Sequence, residues 1–363
     1  MTQDEKIAFE EQARILLNEI VTDALSRDSK VFILTDTNTQ QWCYPVFAEK
    51  IDGLTAHMIP ITIPSGEINK TLESVSYIWK QLTTHQAGRD AVLINLGGGM
   101  ISDIGGFAAS CFKRGIRTIH IPTSLLSMID ASIGGKTAID FMWYKNLIGT
   151  FYPAESILIF PEFLNSLPLP QIRSGLGEII KYSLISDPDL LTFLPPKQHI
   201  AAITTELLRA CIHVKQQITL QDPKEKGLRK VLNFGHTAGH AIESYFLEEA
   251  DVVTHGEAVA AGVLVALWLS VTVVGLSKEI LKDYQDLYLQ YFVPLEFTSK
   301  SIPDIVERMR HDKKNLGEET RFVLLRSPGQ PVIDQTIDPT LIEQALHYYL
   351  SIKYRYHGDT KNQ

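Results

Sequence analysis

Short apolar runs and amphipathic segments alternate along the first half of the chain. The runs end in turn residues, as buried parallel strands do, and they lie at 31–35, 91–96, 118–121 and 157–160. Between them lie segments with helical spacing of apolar residues, such as 71–82. Its predicted buried face consists of Leu72, Val75, Ile78, Trp79 and Leu82. This alternation predicts a doubly wound α/β domain.

The second half follows a different pattern. Beyond Pro168 and Pro170, apolar residues recur mainly at helical spacing, and we place a domain boundary near these prolines. The predicted domains are 1–170 and 171–363. The predicted helices of the second domain are 171–194, 200–220, 237–247, 257–276, 278–292, 302–310 and 339–349, with one short strand at 322–325.

One stretch, 258–276, carries no charge and is long enough to cross a bilayer. A helix buried at the centre of a helical domain has the same composition, and we favour this alternative. The start of the chain, MTQDEKIAFEEQ, is polar and acidic and does not resemble a signal peptide. The three cysteines are far apart in sequence, which is typical of a reducing compartment. We therefore expect a cytoplasmic protein without a membrane partner.

Composition narrows the range of partners. The 363 residues are 45% hydrophobic and 21% charged, as in ordinary globular proteins, and the formal net charge is −8. Since no basic patch is apparent, we expect no nucleic-acid partner.

A small anionic ligand would need local positive charges, because the net charge of the chain is negative. Such cations adjoin the motifs described next, and they are Arg114, Lys136, Lys145, Lys181, Lys215, Arg229, Lys313 and Lys314. Together they predict a small anionic substrate.

The segment NLGGGMISD at 95–103 follows a predicted strand and opens a predicted helix. Glycines at such a turn let the backbone approach a phosphate, and the helix N-terminus supplies N–H donors. The segment departs from G-x-G-x-x-G because Ser102 replaces the last glycine, so a purely structural turn stays an alternative. Asp36, at the end of an earlier strand, could serve as the acidic ribose partner. A second glycine pair, Gly134 and Gly135, precedes a lysine and a threonine. It does not match the P-loop pattern G-x-x-x-x-G-K-[ST], because Asp130 stands where that pattern requires its first glycine.

The segment NFGHTAGHAIE at 233–243 gives the strongest local signal for chemistry. Helical spacing places His236, His240 and Glu243 on one face, with His255 shortly after. Several imidazoles and a carboxylate suit a catalytic zinc with an open position, whereas isolated surface or capping histidines are the alternative. The H-E-x-x-H and G-x-S-x-G patterns and the zinc-deaminase pattern are absent from the sequence.

Several longer runs together resemble the 3-dehydroquinate synthase family. They extend over about 36–325 and are SGEINK, GGGMISDIGGFAAS, CFKRG, IPTSLLSMIDASIGGKTAID, KNLIGTFY, GLGEIIKY, LRKVLNFGHTAGHAIE, HGEAVAAG and DKKN. The resemblance implies a Rossmann-like NAD-binding N-terminal α/β domain and an all-α metal-binding C-terminal domain. It also implies an active site in the cleft between them, a homodimer, NAD, and one divalent metal, zinc or cobalt.

The implied reaction converts 3-deoxy-D-arabino-heptulosonate 7-phosphate to 3-dehydroquinate and phosphate in the shikimate pathway. It proceeds by transient oxidation, phosphate elimination, reduction and aldol closure. By the same resemblance, the metal ligands are Glu178, His236 and His255, and His240 faces substrate instead. The implied catalytic residues are Asp130, Lys136, Asn146, Lys181 and His240. The implied substrate-binding residues are Arg114, Lys215, Arg229, Asn233 and one of Lys313 and Lys314. Of these, Arg114 would reach the substrate phosphate in the site of the other subunit of the dimer. The NAD site comprises Asp36, Glu67, Lys70, Gly98, Gly99, Asp103, Thr123, Ser124, Lys136, Lys145 and Ser166.

Some positions depart from the family's pattern. Asp140 stands where the family commonly has asparagine, Tyr144 stands where it has glycine, and Ser124 and Ser166 replace threonines. The segment 141–144 is unusually bulky for a loop over a cofactor. Three alternatives stay open on the sequence: another sugar phosphate cyclase, a metal-dependent NAD alcohol or glycerol dehydrogenase, and a non-catalytic sensor.

Overall fold

The computed structural model describes residues 5–360 except 52, 143, 249–252 and 311–318, and describes only the backbone of 248 and 353–360. The chain divides into two compact units, 1–168 and 169–363. The assignment of NAD binding to 1–170 and of metal and substrate binding to 171–363 stays a prediction. The two units are described separately below.

The first unit is an α/β layer structure. Its strands are β1 (Lys6–Phe9), β2 (Val31–Asp36), β3 (Met58–Ile63), β4 (Val92–Gly97), β5 (Arg117–Pro122), β6 (Lys136–Phe141), β7 (Tyr144–Phe151) and β8 (Ser156–Ile159). Its helices are α1 (Glu10–Ser26), α2 (Thr37–Trp42), α3 (Tyr44–Glu49), α4 (Leu72–Thr84) and α5 (Gly99–Cys111). Six strands form one parallel sheet in the order β1-β8-β5-β4-β2-β3, and β6 pairs with β7 in an antiparallel hairpin.

The main sheet is covered on both faces, which explains its continuous apolar runs. Every residue of β2 and β4 is buried. Since side chains alternate along a strand, Phe32 and Leu34 point to one face, where they join a core with residues of α4 and α5. The amphipathic prediction for α4 holds for Val75, Ile78 and Leu82, whereas Leu72 is exposed because the helix begins at that residue.

The strand order creates a switch point between β2 and β4. Strand β2 continues to β3 on one side of the sheet, whereas β4 continues to β5 on the other. In open α/β sheets, ligands bind outside the carboxyl ends of two such diverging strands. Asp36 ends β2 and Gly97 ends β4, so the predicted glycine-rich turn lies at this position.

The second unit is mainly helical. Its helices are α6 (Leu169–Ile185), α7 (Thr205–Gln221), α8 (His236–Glu248), α9 (His255–Val273), α10 (Lys278–Tyr291), α11 (Ile302–Arg310) and α12 (Pro339–Thr360), and its strands are β9 (Thr320–Leu325) and β10 (Pro331–Ile337). The helix predicted over 171–194 stops at Ile185 and a 3-10 turn follows from Pro188. Proline disfavours helical backbone at the residue before it, which is Asp187.

Helix α9 is the core helix of the second unit. It is apolar and long enough to cross a membrane, but 72% of its most apolar window is buried inside the structure. It packs against α6, α8, α10 and α12. The surrounding helices therefore account for its uncharged sequence, as the buried-helix alternative predicts. The predicted fold class is confirmed, and the hairpin of β9 and β10 is an addition to the helical unit.

Candidate metal centre and cofactor cradle

Three helices of the second unit bring the predicted metal-binding residues together. Glu178 lies in the middle of α6, and His236 and His255 are the first residues of α8 and α9. His240 lies one turn after His236, as the helical spacing predicts. The imidazole ring centroids of the three histidines are 5.2 to 5.6 Å apart. One ligand nitrogen from each ring can be chosen so that all lie within 4.8 Å of one another.

The Glu178 carboxylate lies against two of these rings. Its Oε1 is 3.5 Å from Nε2 of His236 and 3.9 Å from Nε2 of His255. The side chain is fully buried, and Oε1 has no hydrogen-bond partner among the described residues. Oε2 forms an ion pair with Lys181, whose Nζ also donates to the Leu232 carbonyl at 2.9 Å. A buried carboxylate oxygen without a donor is costly unless a cation accompanies it.

The donor set therefore fits a divalent transition metal. Imidazole nitrogen and carboxylate oxygen are ligands that zinc accepts in catalytic sites. The His236 ring is already oriented, because its Nδ1 lies 3.2 Å from the Phe234 carbonyl oxygen. The spacing of the three rings would also permit His240 as a ligand. The choice of Glu178, His236 and His255 over a set of three histidines thus stays a prediction.

Glycines beside the candidate ligands let the three helices approach closely. A Cβ added at Gly177 would collide with the backbone of Gly256, and one at Gly256 would collide with the Ser174 carbonyl. A Cβ at Gly239 would lie 2.9 Å from Cα of Val259. These glycines are sequence neighbours of Glu178, His255 and His240. The same close packing of α6, α8 and α9 therefore fixes the separation of the candidate ligands.

Polar residues of the predicted substrate site lie in the same unit. Lys215 and Arg229 are buried, and Arg229 donates through Nη1 to the Pro223 carbonyl at 2.9 Å. Asn233 donates through Nδ2 to Glu225 Oε1 at 2.9 Å. Glu225 was not among the predicted site residues, and its unusual positive φ of 54° could not be read from the sequence. Lys313 and Lys314 lie outside the described residues.

The first unit holds a turn suited to a phosphate ligand. Gly98 caps α5, and the first turn of this helix contains no acidic side chain. Among the described residues other than its chain neighbours, a Cβ added at Gly98 would come within 4 Å of Ser124 alone, 3.4 Å from its Oγ and 3.9 Å from its Cβ. The backbone N–H groups of the first helical turn are available to an anion. The structure therefore supports the predicted open strand-to-helix turn.

Other predicted cofactor residues surround this turn. The Thr123 N–H donates to the Gly97 carbonyl at 2.9 Å, and Asp36 Oδ1 accepts from the N–H groups of Asn38 and Thr39, capping α2. The buried Cys43 thiol forms hydrogen bonds with Thr123 and Ser166, so a residue outside the predicted set connects two predicted NAD residues. Burial raises the pKa of Cys43, and these hydrogen bonds oppose that rise. No motif in the sequence indicates this role for Cys43.

A second cluster of the first unit is centred on Lys70. Its buried Nζ lies 2.5 Å from Asp103 Oδ2, 2.5 Å from Asn146 Oδ1 and 3.3 Å from Glu67 Oε1. Burial raises the pKa of Asp103 to about 6, and the Lys70 charge opposes that rise. Asp140, the departure from the family pattern, accepts a hydrogen bond from the Asn146 N–H at 2.7 Å. The structure thus joins Glu67, Lys70, Asp103 and Asn146.

The remaining predicted residues of the first unit are more dispersed. Asp130 is half-buried in a π-helical turn, Lys136 is exposed at the start of β6, and Lys145 is half-buried in β7. Arg114 is exposed and has a positive φ of 69°. Lys145 lies close enough to Asp140 for its charge to lower the pKa of that carboxyl, which burial raises.

Comparison with known proteins gives one consistent family. The N-terminal and C-terminal family profiles of 3-dehydroquinate synthase match residues 60–174 and 175–315. A 3-dehydroquinate synthase of Parabacteroides distasonis is 40% identical over 324 residues, which are 88% of this chain and 91% of the relative.

Solved structures agree with the fold. A 2-deoxy-scyllo-inosose synthase complexed with carbaglucose-6-phosphate, NAD⁺ and Co²⁺ matches 94% of this chain and 96% of its own, with a TM-score of 0.81 and 24% identity. A 2-epi-5-epi-valiolone synthase of Streptomyces hygroscopicus subsp. jinggangensis, with NAD⁺ and Zn²⁺ bound, matches 96% and 97%, with a TM-score of 0.79 and 24% identity.

Proposed function

Because the chain belongs to the 3-dehydroquinate synthase family, we propose that it converts 3-deoxy-D-arabino-heptulosonate 7-phosphate to 3-dehydroquinate and phosphate. The chain is then a carbon–oxygen lyase of the shikimate pathway. The observation that carries the proposal is the buried Glu178 carboxylate facing the Nε2 atoms of His236 and His255. These three residues would hold one divalent metal, zinc or cobalt.

NAD would bind at the switch point of the first unit, where Gly98, Gly99, Thr123 and Ser124 surround the N-terminus of α5. The cofactors of the two structural neighbours support this choice. When bound, the metal supplies Lewis acidity and NAD takes up and returns a hydride, so that the reaction has no net redox change. Lys70 would hold Asp103 and Asn146 in place through its hydrogen bonds.

The substrate would be held by buried cations of the second unit. Its carboxylate and phosphate are strong acceptors, and a desolvated guanidinium or ammonium binds such groups more strongly than an exposed one. Arg229 offers bidentate geometry and Lys215 a point charge, so we assign both to the substrate carboxylate. His240 would accept or donate a proton at its imidazole, because the two neighbouring rings would be occupied by the metal.

We also propose a cytoplasmic homodimer in which Arg114 contacts the partner's substrate phosphate. Two features support a second copy. Arg114 is exposed, and the hairpin of β6 and β7 carries large exposed apolar side chains, as interfaces do. These side chains are Met142, Tyr144, Leu147, Ile148 and Phe151.

The test is phosphate release from 3-deoxy-D-arabino-heptulosonate 7-phosphate, measured together with NADH absorbance, before and after chelation. We expect phosphate release without net NADH, loss of activity with chelator, and recovery with zinc or cobalt. Net NADH without phosphate would instead identify a dehydrogenase. Phosphate release only from a sugar phosphate without a carboxylate would identify another cyclase. Bound NAD and metal without turnover of any sugar phosphate would identify a sensor.

A further inference from the structure

We propose that Glu243 is a positioning residue that fixes the His255 ring for metal binding. The inference deepens the proposed function, since it rests on Glu178, His236 and His255 as the metal ligands. Glu243 lies on α8 one turn after His240 and two turns after His236. Its Oε2 is 3.2 Å from Nδ1 of His255, within hydrogen-bond distance.

This contact acts on the side of the ring opposite to the candidate metal position. A histidine whose Nδ1–H donates to a carboxylate carries its free electron pair on Nε2. Nε2 of His255 is the atom that faces Glu178, at 3.9 Å. The Glu243 carboxylate therefore selects the tautomer in which the nitrogen nearest Glu178 is the ligand. A carboxylate partner also increases the basicity of the coordinating imidazole.

The two candidate histidine ligands need different amounts of such support. The His236 side chain is only 12% exposed, and a backbone carbonyl already holds its Nδ1. The His255 side chain is 30% exposed and is the first residue of α9, so packing confines it less. The Glu243 side chain is itself only 9% exposed. A buried carboxylate is costly without polar partners, which agrees with a specific role at this position.

The experiment compares zinc and cobalt affinity of the full-length protein and its variants by competition with a chromogenic chelator. Glu243→Ala removes the acceptor, whereas Glu243→Gln keeps an oxygen of the same reach. Ser244→Ala is the matched control, since this neighbour on α8 accepts a hydrogen bond from Arg308 instead. His236→Ala tests the metal site itself. The visible spectrum of the cobalt-loaded protein, kcat and KM are recorded for each variant.

We expect Glu243→Ala to weaken metal affinity by about 10- to 100-fold and to alter the cobalt spectrum. Glu243→Gln should lose clearly less affinity, and Ser244→Ala should match the unmodified protein. At saturating metal, Glu243→Ala should regain part of its kcat, while its KM for the sugar phosphate stays unchanged. This pattern separates an effect on metal positioning from an effect on substrate binding.

Two results would overturn the inference while leaving the proposed function intact. One is unchanged metal affinity in Glu243→Ala when His236→Ala loses its metal. The other is equal affinity in Glu243→Gln and Glu243→Ala, a comparison that holds even when both variants melt at lower temperature. Full metal binding by His236→Ala would instead overturn the assigned metal site, and with it the premise of the inference.

Discussion

Glycines lie beside both candidate sites, but the space around them differs. In the first unit, a Cβ added at Gly98 would be at ordinary contact distance, 3.4 Å, from Ser124 Oγ. In the second unit, a Cβ at Gly177 or Gly256 would run into the backbone of a neighbouring helix. The first kind of glycine leaves room for a ligand, whereas the second kind leaves room for another part of the protein.

This difference separates two ways of building a site. The turn before α5 offers backbone N–H groups, which most side-chain changes leave in place. The cluster on α6, α8 and α9 depends on particular side chains and on the distance between helices. We therefore expect the second site to fail abruptly when one residue changes, and the first to weaken gradually.

Replacing one ligand should give the largest effect. His236→Ala removes an imidazole whose Nε2 is 3.5 Å from Glu178 Oε1, so a metal at this site would keep only two of its three proposed protein ligands. We expect loss of bound metal and a fall in phosphate release of about a thousandfold or more. Metal content by elemental analysis and phosphate release check this. An active variant with a full complement of zinc would refute the role of His236, and retained NAD binding is the control for an intact first unit.

The second largest effect should come from a substitution that adds a side chain where α6 and α9 are in close contact. Gly256→Ala places a methyl group against the Ser174 carbonyl, so α6 and α9 must move apart. Overpacking of this kind costs about 3 kcal/mol of the free energy of unfolding. Because His255 precedes the substituted residue, metal affinity should fall together with stability. Denaturant unfolding with and without zinc measures both. An unchanged midpoint and unchanged metal affinity would show that the helices have more freedom than their contacts indicate.

The sequence predicted the metal cluster better than its surroundings. His236 and His240 share a face because they lie on one helix, which local spacing is sufficient to predict. Glu178 comes from a distant helix, and only the family resemblance pointed to it. The strands β2 and β4 were predictable because both of their faces are buried. The hairpin of β6 and β7 was missed, since most of β7 is exposed and lacks an apolar run.

The contacts between side chains could not be predicted from the sequence, for a physical reason. Lys70 meets Asp103 and Asn146 across 33 and 76 residues, and such pairings depend on the tertiary fold. The same holds for the contact between Glu243 and His255. Local patterns along a chain contain no information on how such distant segments pack against each other, so the family resemblance identified these residues without identifying their partners.

A buried histidine should make the stability of the first unit sensitive to acid. In the first unit, His120 is buried among Asn95 and Thr118, and burial lowers its pKa to about 4. The unfolded chain protonates this residue near pH 6.5. Stability from a neutral His120 is therefore complete above pH 6.5 and declines as the pH falls toward 4. We expect a loss of about 2 kcal/mol at pH 5 relative to pH 7.

Denaturant unfolding at both pH values, compared between the unmodified protein and His120→Gln, isolates this contribution from those of other groups. The variant should be less stable at pH 7, because the Asn95 contact changes, but its loss between pH 7 and pH 5 should be smaller by about 2 kcal/mol. Equal losses in the two proteins would show that His120 does not set the acid sensitivity of the first unit.

The smallest effect should come from filling the open turn. Gly98→Ala places a methyl group at 3.4 Å from Ser124 Oγ, and the backbone angles of residue 98 (φ −75°, ψ −168°) suit alanine. Stability should change by less than about 0.5 kcal/mol. If a pyrophosphate approaches this backbone, the methyl group obstructs it, and NAD affinity should fall by about tenfold, or roughly 1.4 kcal/mol. NAD affinity is measured by calorimetric titration, and zinc titration is the control for an intact second unit.

Unchanged NAD affinity in Gly98→Ala would mean that the cofactor does not bind in the space beside Gly98. A large loss of stability would show that a side chain is not tolerated at this position, so that Gly98 would not differ from Gly177 and Gly256 in this respect.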